Sequence, residues 1–377
     1  MKITVIRAAL LPALKEAARF ASTKNAIPVL GCVHIRAEDG EIRLAGTDLE
    51  LGVTLPVPGD IQQHGEILVP AARFLAYIEA LPEGYIELEA DDQLRLAVRT
   101  PGKGPRATFG GLDPQQFPSE PSPTDDAPRI SIPVEDLLAF RSRVAYCASH
   151  DNARPYLCFV NIARDGDGLL AQATDGAQLA FLRRKIEVLP NVAFDLNPAL
   201  LRRAAWPEEG EIEITLTSGY IIAMAGSTRW NARRNDGTFP NLSRLMPTQF
   251  PIQSRVSRSE MTEAIKRAAR FDSSKAPEGI KLEVTRDRIT VSIRVFILDE
   301  GAPGSFSETI DAQTETEGTR PLPLIIRFNQ YYLSKALAAI PSSVASITLR
   351  FVDPKNLMLI DVSEDQAAHA LLPLINI

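Results

Sequence analysis

Thr47-Asp48-Leu49-Glu50-Leu51 is echoed 127 positions later by Thr174-Asp175-Gly176-Ala177-Gln178-Leu179. Each stretch follows an alternating apolar run, where a Thr-Asp pair suits a turn whose side chains bond the backbone. Two proline-rich stretches frame the second copy. The first runs from Phe117-Pro118-Ser119-Glu120-Pro121-Ser122-Pro123 to Pro128, and the second from Phe239-Pro240 to Pro251. Proline fixes φ and lacks an N–H donor, so both read as linkers. They divide the chain into near-equal parts, 1–122, 127–247 and 250–377, as an internal repeat requires.

Each part follows one order. An amphipathic helix opens it: Leu10, Leu14, Ala17 and Ala21 in the first, Leu137, Leu138, Phe140, Val144 and Cys147 in the second, Met261, Ala264, Ile265, Ala268 and Phe271 in the third. Period-two pairs follow. Val33 and Ile35 face Ile42 and Leu44 across Asp39-Gly40; a second hairpin turns at Asp165-Gly166-Asp167-Gly168; Ile280, Leu282 and Val284 precede Ile289, Val291 and Ile293. A second helix comes next, at Pro70–Leu81, Pro198–Trp206 and Gln330–Ile340, each stopped by a proline (Pro82, Pro207, Pro341). More alternating strands close each part. The expected fold is α+β: three tandem domains, each with two helices packed on antiparallel sheet. Sheets joined end to end across the repeats would hide strand edges, and three repeats would need a second chain to close a ring.

Composition limits the function. The 377 residues are 45% hydrophobic and 23% charged, as in a globular chain. No apolar run reaches the length of a membrane helix, and Met1-Lys2-Ile3-Thr4-Val5 lacks the pattern of a secretory signal. Three cysteines (Cys32, Cys147, Cys158) give no disulfide framework and no metal spacing, which points to a reducing, cytoplasmic setting. The four histidines (His34, His64, His150, His369) are scattered, and no phosphate-binding glycine loop occurs. No metal, cofactor or catalytic residue is expected.

The net charge of −6 hides a sorting: the six helical segments sum to +8, leaving −14 for strands and loops. Lys15 and Arg19 share one helix face, as do Lys266 and Arg270; Arg73, Arg202 and Arg203 add further helix cations. Basic residues on a helix are commonly a solvated face. A surplus repeated in every third also fits a polyanion held by its backbone, without base readout.

The chain resembles the bacterial DNA polymerase III β subunit, the sliding clamp family. The matches run along nearly its whole length: Ile27-Pro28-Val29-Leu30-Gly31, Leu44-Ala45-Gly46-Thr47-Asp48-Leu49-Glu50, Val69-Pro70-Ala71-Ala72-Arg73-Phe74, Leu81-Pro82-Glu83-Gly84, Ala173-Thr174-Asp175-Gly176, Asp236-Gly237-Thr238-Phe239-Pro240 and Leu371-Leu372-Pro373-Leu374. The resemblance implies a head-to-tail dimer ring of three-domain protomers around duplex DNA. It also implies a non-catalytic tether for the polymerase III catalytic subunit, the clamp loader and other factors with clamp-binding motifs. Their short apolar peptides would enter a pocket at Arg154, Leu157, Thr174, Gly176, Ala177, Gln178, Leu179, Pro240, Arg244, Leu245, Ala370, Leu371, Leu372, Pro373 and Leu374. Lys24 joins the DNA-facing cations. The ring interface would pair the strand at Ala107 and Phe109 with the third domain near Phe271 and Lys275, unless Phe109 belongs to its own domain's core. Three departures stand out. Ala177-Gln178 replaces a His-Arg pair, the C-terminus is one residue longer and lacks a cation, and Asp151 and Pro155 replace DNA-touching residues. The alternative is a divergent clamp-fold peptide scaffold that is not loaded on DNA.

Overall fold

The computed structural model describes the chain except residues 23–26, 187–191, 236, 272–278, 296–303, 319 and 375–377. Lys24 and Lys275 lie outside the described residues. Six helices occur among the described residues: α1 (Arg7–Phe20), α2 (Ala71–Ala80), α3 (Val134–Arg143), α4 (Pro198–Arg203), α5 (Arg258–Phe271) and α6 (Gln330–Ala338). Every strand ladder is antiparallel.

The contacts sort into two units, Met1–Glu135 with Ala199–Arg234, and Asp136–Pro198 with Asn235–Ile377. The first unit holds a five-stranded and an eight-stranded sheet. The eight-stranded sheet crosses the repeat: Leu51–Val57 from the first third pairs with Thr228–Arg233 from the central third, Leu51 opposite Ala232 and Val53 opposite Trp230. The expected hairpin turns at Asp39 (φ 51°) and Gly40 (φ 80°), both left-handed, which matches the twist of the flanking strands. α1 and α2 pack together, and α1 lies on Glu41–Thr47 and Leu51–Val57. That crossing is close. A Cβ on Gly46 would stand 2.1 Å from the Ala17 carbonyl oxygen, so only glycine fits.

Glu16 is the polar exception on the buried face of α1, 4% exposed. Its Oε1 accepts from the Trp230 Nε1–H (2.9 Å) and the Ala205 N–H (2.8 Å), and its Oε2 from Arg19 (3.0 Å). The pairing satisfies a carboxylate that would otherwise be costly to bury. It also ties a first-third helix to central-third strand and loop. The Trp206 ring meets Trp230 at a tilt, centroids 4.8 Å apart, so both tryptophans of the chain sit at this junction.

The second unit is built on a twelve-stranded sheet that also crosses the repeat, with Gln178–Arg184 beside Ala367–Leu371. α5 packs on α6, burying Met261, Ala264, Ile265 and Ala268 as the helix periodicity requires. Phe271 departs from that pattern: it is 40% exposed, its ring 6.1 Å from Phe306. The apolar period from Leu137 to Cys147 spans two elements rather than one. α3 ends at Arg143, and a 3-10 turn covers Ala145–Cys147. The break turns Tyr146 inward to a buried partner, His369, which no helical period encodes.

Removing the Glu16 carboxylate strands two N–H donors. Glu16→Ala is expected to lower the unfolding free energy by about 2–4 kcal/mol, and Glu16→Gln by less, because its amide oxygen still accepts. Urea unfolding followed by tryptophan fluorescence reads this directly. A Glu16→Ala change below about 0.5 kcal/mol would contradict the assignment.

Candidate functional site

The Thr174–Gln178 turn builds one wall of an apolar cleft. Thr174 Oγ1 donates to the Gln178 carbonyl (2.7 Å) and accepts from the Gly176 N–H (3.0 Å). Asp175 Oδ1 accepts from the N–H groups of Ala177 (2.9 Å) and Gln178 (3.0 Å), and Oδ2 from Gln178 Nε2 (3.0 Å). The Thr-Asp pair is therefore engaged in holding the turn rather than presented for carboxylate chemistry. Gly176 has φ 95°, where a side chain is disfavoured, and the wall above it stays open.

Strand alternation then sets the floor. Leu179 lies opposite Ala370, and Ala370 opposite Leu359, so all three point to one side. They cluster with Leu242, Leu357 and Ala368, and Phe181, Phe239, Met246 and Phe250 pack around them. The cleft has a free volume of about 390 Å³. Its rim exposes large apolar side chains: Leu245 at 61%, Leu372 at 50% and Tyr156 at 37%. An apolar trough with a few fixed polar groups at its edge is suited to an extended apolar segment.

Of the expected pocket residues, Leu157, Thr174, Gly176, Ala177, Gln178, Leu179, Pro240, Leu245, Ala370, Leu371 and Leu372 line this one cleft. Arg154, Arg244, Pro373 and Leu374 stand outside its lining. Arg154 bonds Asp151 at 3.2 Å, Arg244 is exposed at the end of a 3-10 turn, and the Leu374 N–H donates to the Arg327 carbonyl (2.8 Å). Tyr156, Leu242 and Leu357 line the cleft without having been anticipated. Leu242 follows Pro240 by two residues and was within reach of a linker reading; Leu357 arrives just ahead of a distant strand, Met358–Val362.

The opposite face of the floor strand carries His369, 1% exposed. Its Nδ1 is 2.8 Å from the Tyr146 hydroxyl. Burial, helped by Arg143, lowers its pKa to about 4, so it stays neutral. Nearby, Asp365 pairs with Arg143 and with Arg184 (3.3 Å), and Arg184 reaches Asp136 (2.8 Å). Among the described residues no group of His, Cys, Asp or Glu is arranged to hold a metal ion.

The helix cations are exposed, and several already have partners. Lys15 pairs with Glu79 (3.0 Å), Arg19 with Glu16 (3.0 Å), Arg203 with Asp48 (2.6 Å) and Lys266 with Glu263 (2.8 Å). Arg73, Arg202 and Arg270 are exposed on α2, α4 and α5. The Lys15 and Lys266 pairs are exposed on both sides and contribute little, whereas Arg19 and Arg203 reach largely buried carboxylates. The strand Arg106–Gly110 is an edge of its sheet. Ala107 is half-buried on it, and the Phe109 ring meets Phe74 and Tyr77 edge-on, both at 5.6 Å. Much of the Phe109 side chain therefore belongs to its own domain.

Residues 1–121 match the family model of the DNA polymerase III beta subunit, N-terminal domain, and residues 243–375 that of its C-terminal domain. A beta sliding clamp of Staphylococcus aureus is 25% identical, with 99% of each chain covered. The DNA polymerase sliding clamp of Bacillus subtilis superposes with a TM-score of 0.91 at 23% identity, covering 100% of each chain. A sliding clamp of Pseudomonas aeruginosa bound to griselimycin gives 0.87 at 25% identity, also over 100% of each. The fold is thus the three-domain clamp fold. No described helix is long and apolar enough to cross a membrane.

His369 gives the site a pH signature. Its folded pKa lies below the ordinary value of 6.5, so the unfolded chain takes up a proton first as pH falls. Stability should drop between about pH 6.5 and pH 4, by up to about 3 kcal/mol, and then level off. His369→Gln should flatten that slope in pH-dependent urea unfolding. Equal slopes in the two proteins would contradict the buried neutral imidazole.

Proposed function

The chain belongs to the DNA polymerase III beta subunit family, and from that premise we propose that it acts as a sliding clamp, a non-catalytic ring that travels on duplex DNA and tethers its partners through the apolar cleft. The cleft carries the reading, because most of the residues expected for peptide capture come together in one trough. Its occupants would be short apolar segments of the polymerase III catalytic subunit, the clamp loader and other factors with clamp-binding motifs. Pocket-edge groups such as Arg154, Arg244, Pro373 and Leu374 would meet the flanks of such a segment rather than its core.

DNA contact would be electrostatic and indifferent to sequence. Lys15, Arg19, Arg73, Arg202, Arg203, Lys266 and Arg270 offer cations on four helices. Those held by exposed carboxylates, Lys15 and Lys266, would exchange them for passing phosphates at small net gain, as sliding requires.

Two copies would close the ring head to tail. The strand Arg106–Gly110 has a free edge, and Gly304–Asp311 is laddered by Arg288–Val295 on one side. The first carries Arg106, the second Glu308 and Asp311, which suits strand addition between copies. Domains at 1–122, 127–247 and 250–377 and a cytoplasmic setting complete the reading.

Loading on nicked circular DNA with a clamp loader and ATP tests it. The chain should co-migrate with the circle through gel filtration and leave when the DNA is linearised. Absence from the intact circle would overturn the proposal.

A further inference from the structure

We propose that the first unit carries a closed counterpart of the peptide cleft and that Leu49 is the residue that closes it, so that each chain offers one peptide site instead of two. The inference rests on the peptide-binding reading of the open cleft.

The two sites are built alike. In the Thr47–Leu51 turn, Thr47 Oγ1 donates to the Leu51 carbonyl (2.9 Å) and accepts from the Leu49 N–H (3.0 Å). Asp48 Oδ1 accepts from the N–H groups of Glu50 (3.1 Å) and Leu51 (2.7 Å). These are the bonds of the Thr174–Gln178 turn, one for one. The strand leaving each turn takes a distant strand in the same register. Leu51 and Gly52 face Ala232 and Asn231, just as Gln178 and Leu179 face Leu371 and Ala370. A Phe-Pro linker borders each groove, Phe117-Pro118 in one and Pro240 with Phe239 in the other.

The free volumes beside the two turns differ, about 30 Å³ next to Leu49 against about 390 Å³ next to Gly176; the larger hollow of the first unit, about 390 Å³, lies beyond Ala45 and Thr54 among His34, Arg36, Arg43 and Arg229 and does not reach the turn. Two replacements account for the difference. At the third turn position Gly176 has φ 95°, whereas Leu49 holds φ 77°. A left-handed leucine is a strained choice where glycine costs nothing. Its side chain lines the groove and remains 41% exposed, so it closes the mouth without being absorbed into a core. At the floor, Asn231 takes the place of Ala370. A Cβ on Gly52 would lie 2.7 Å from the Asn231 amide nitrogen, so the amide occupies the space that Leu179 fills in the open cleft.

The converse substitution costs backbone strain but meets no fixed atom. A Cβ at Gly176 meets only the end of the Arg154 side chain, at 3.1 Å, and Leu49 shows that this turn holds a leucine. Calorimetric titration with griselimycin, the ligand held by the similar Pseudomonas aeruginosa clamp, reads both directions. The wild-type chain should bind one equivalent. Gly176→Leu should weaken that binding at least tenfold while lowering the melting temperature by only a few degrees, the strain of one left-handed leucine. Leu49→Gly/Asn231→Ala should bind a second equivalent. No binding to the wild-type chain would remove the peptide-site reading itself. One equivalent on the wild type with unweakened binding to Gly176→Leu, or still one equivalent on the double variant, would overturn the closure by Leu49.

Discussion

Backbone pairing between distant strands is the constraint on which this structure depends. Leu51–Val57 is completed by Thr228–Arg233, and Gln178–Arg184 by Ala367–Leu371. An unpaired strand edge presents a row of unsatisfied donors and acceptors. Each repeat therefore leaves an edge that the next repeat's strand covers, and both sheets run through the boundaries between thirds. The cleft is a consequence: its floor exists because residues near the C-terminus lie beside Leu179. Among the described residues, Arg106–Gly110 still has an open edge.

Behind each shared sheet sits one buried polar fastening. Trp230 pairs with Val53, and His369 with Ala180, positions one repeat apart. Trp230 donates to the Glu16 carboxylate on α1, and His369 meets the Tyr146 hydroxyl just beyond α3. The chemistry differs while the placement is the same. Each bond fixes the lateral position of a strand that apolar packing alone would locate less specifically, because a buried polar group tolerates few partners.

Much of the fold was legible in sequence because it is written in local periods. Period-two runs marked the hairpins, three- and four-residue steps marked the helices, and prolines marked their ends. The Thr-Asp echo located the two turns that matter most. What escaped were contacts between residues far apart in the chain. Glu16 counted as one acid among the helix cations, yet it is buried and bonded to Trp230 and Ala205. Leu357 and Tyr156 reach the cleft through tertiary placement. The carboxylates that hold Lys15 and Arg203 come from α2 and from the Thr47–Leu51 turn. Pocket residues on the turn and the final strand were found by resemblance; those on the rim depend on side-chain direction, which spacing does not encode.

Oligomeric mass tests the central claim most directly, because the proposed strand completion across copies would close at two chains. Sedimentation equilibrium of the intact protein at micromolar concentration should return twice the 41.2 kDa chain mass, with no growth as concentration rises. A mass of one chain, or an average that climbs steadily with concentration, would contradict it.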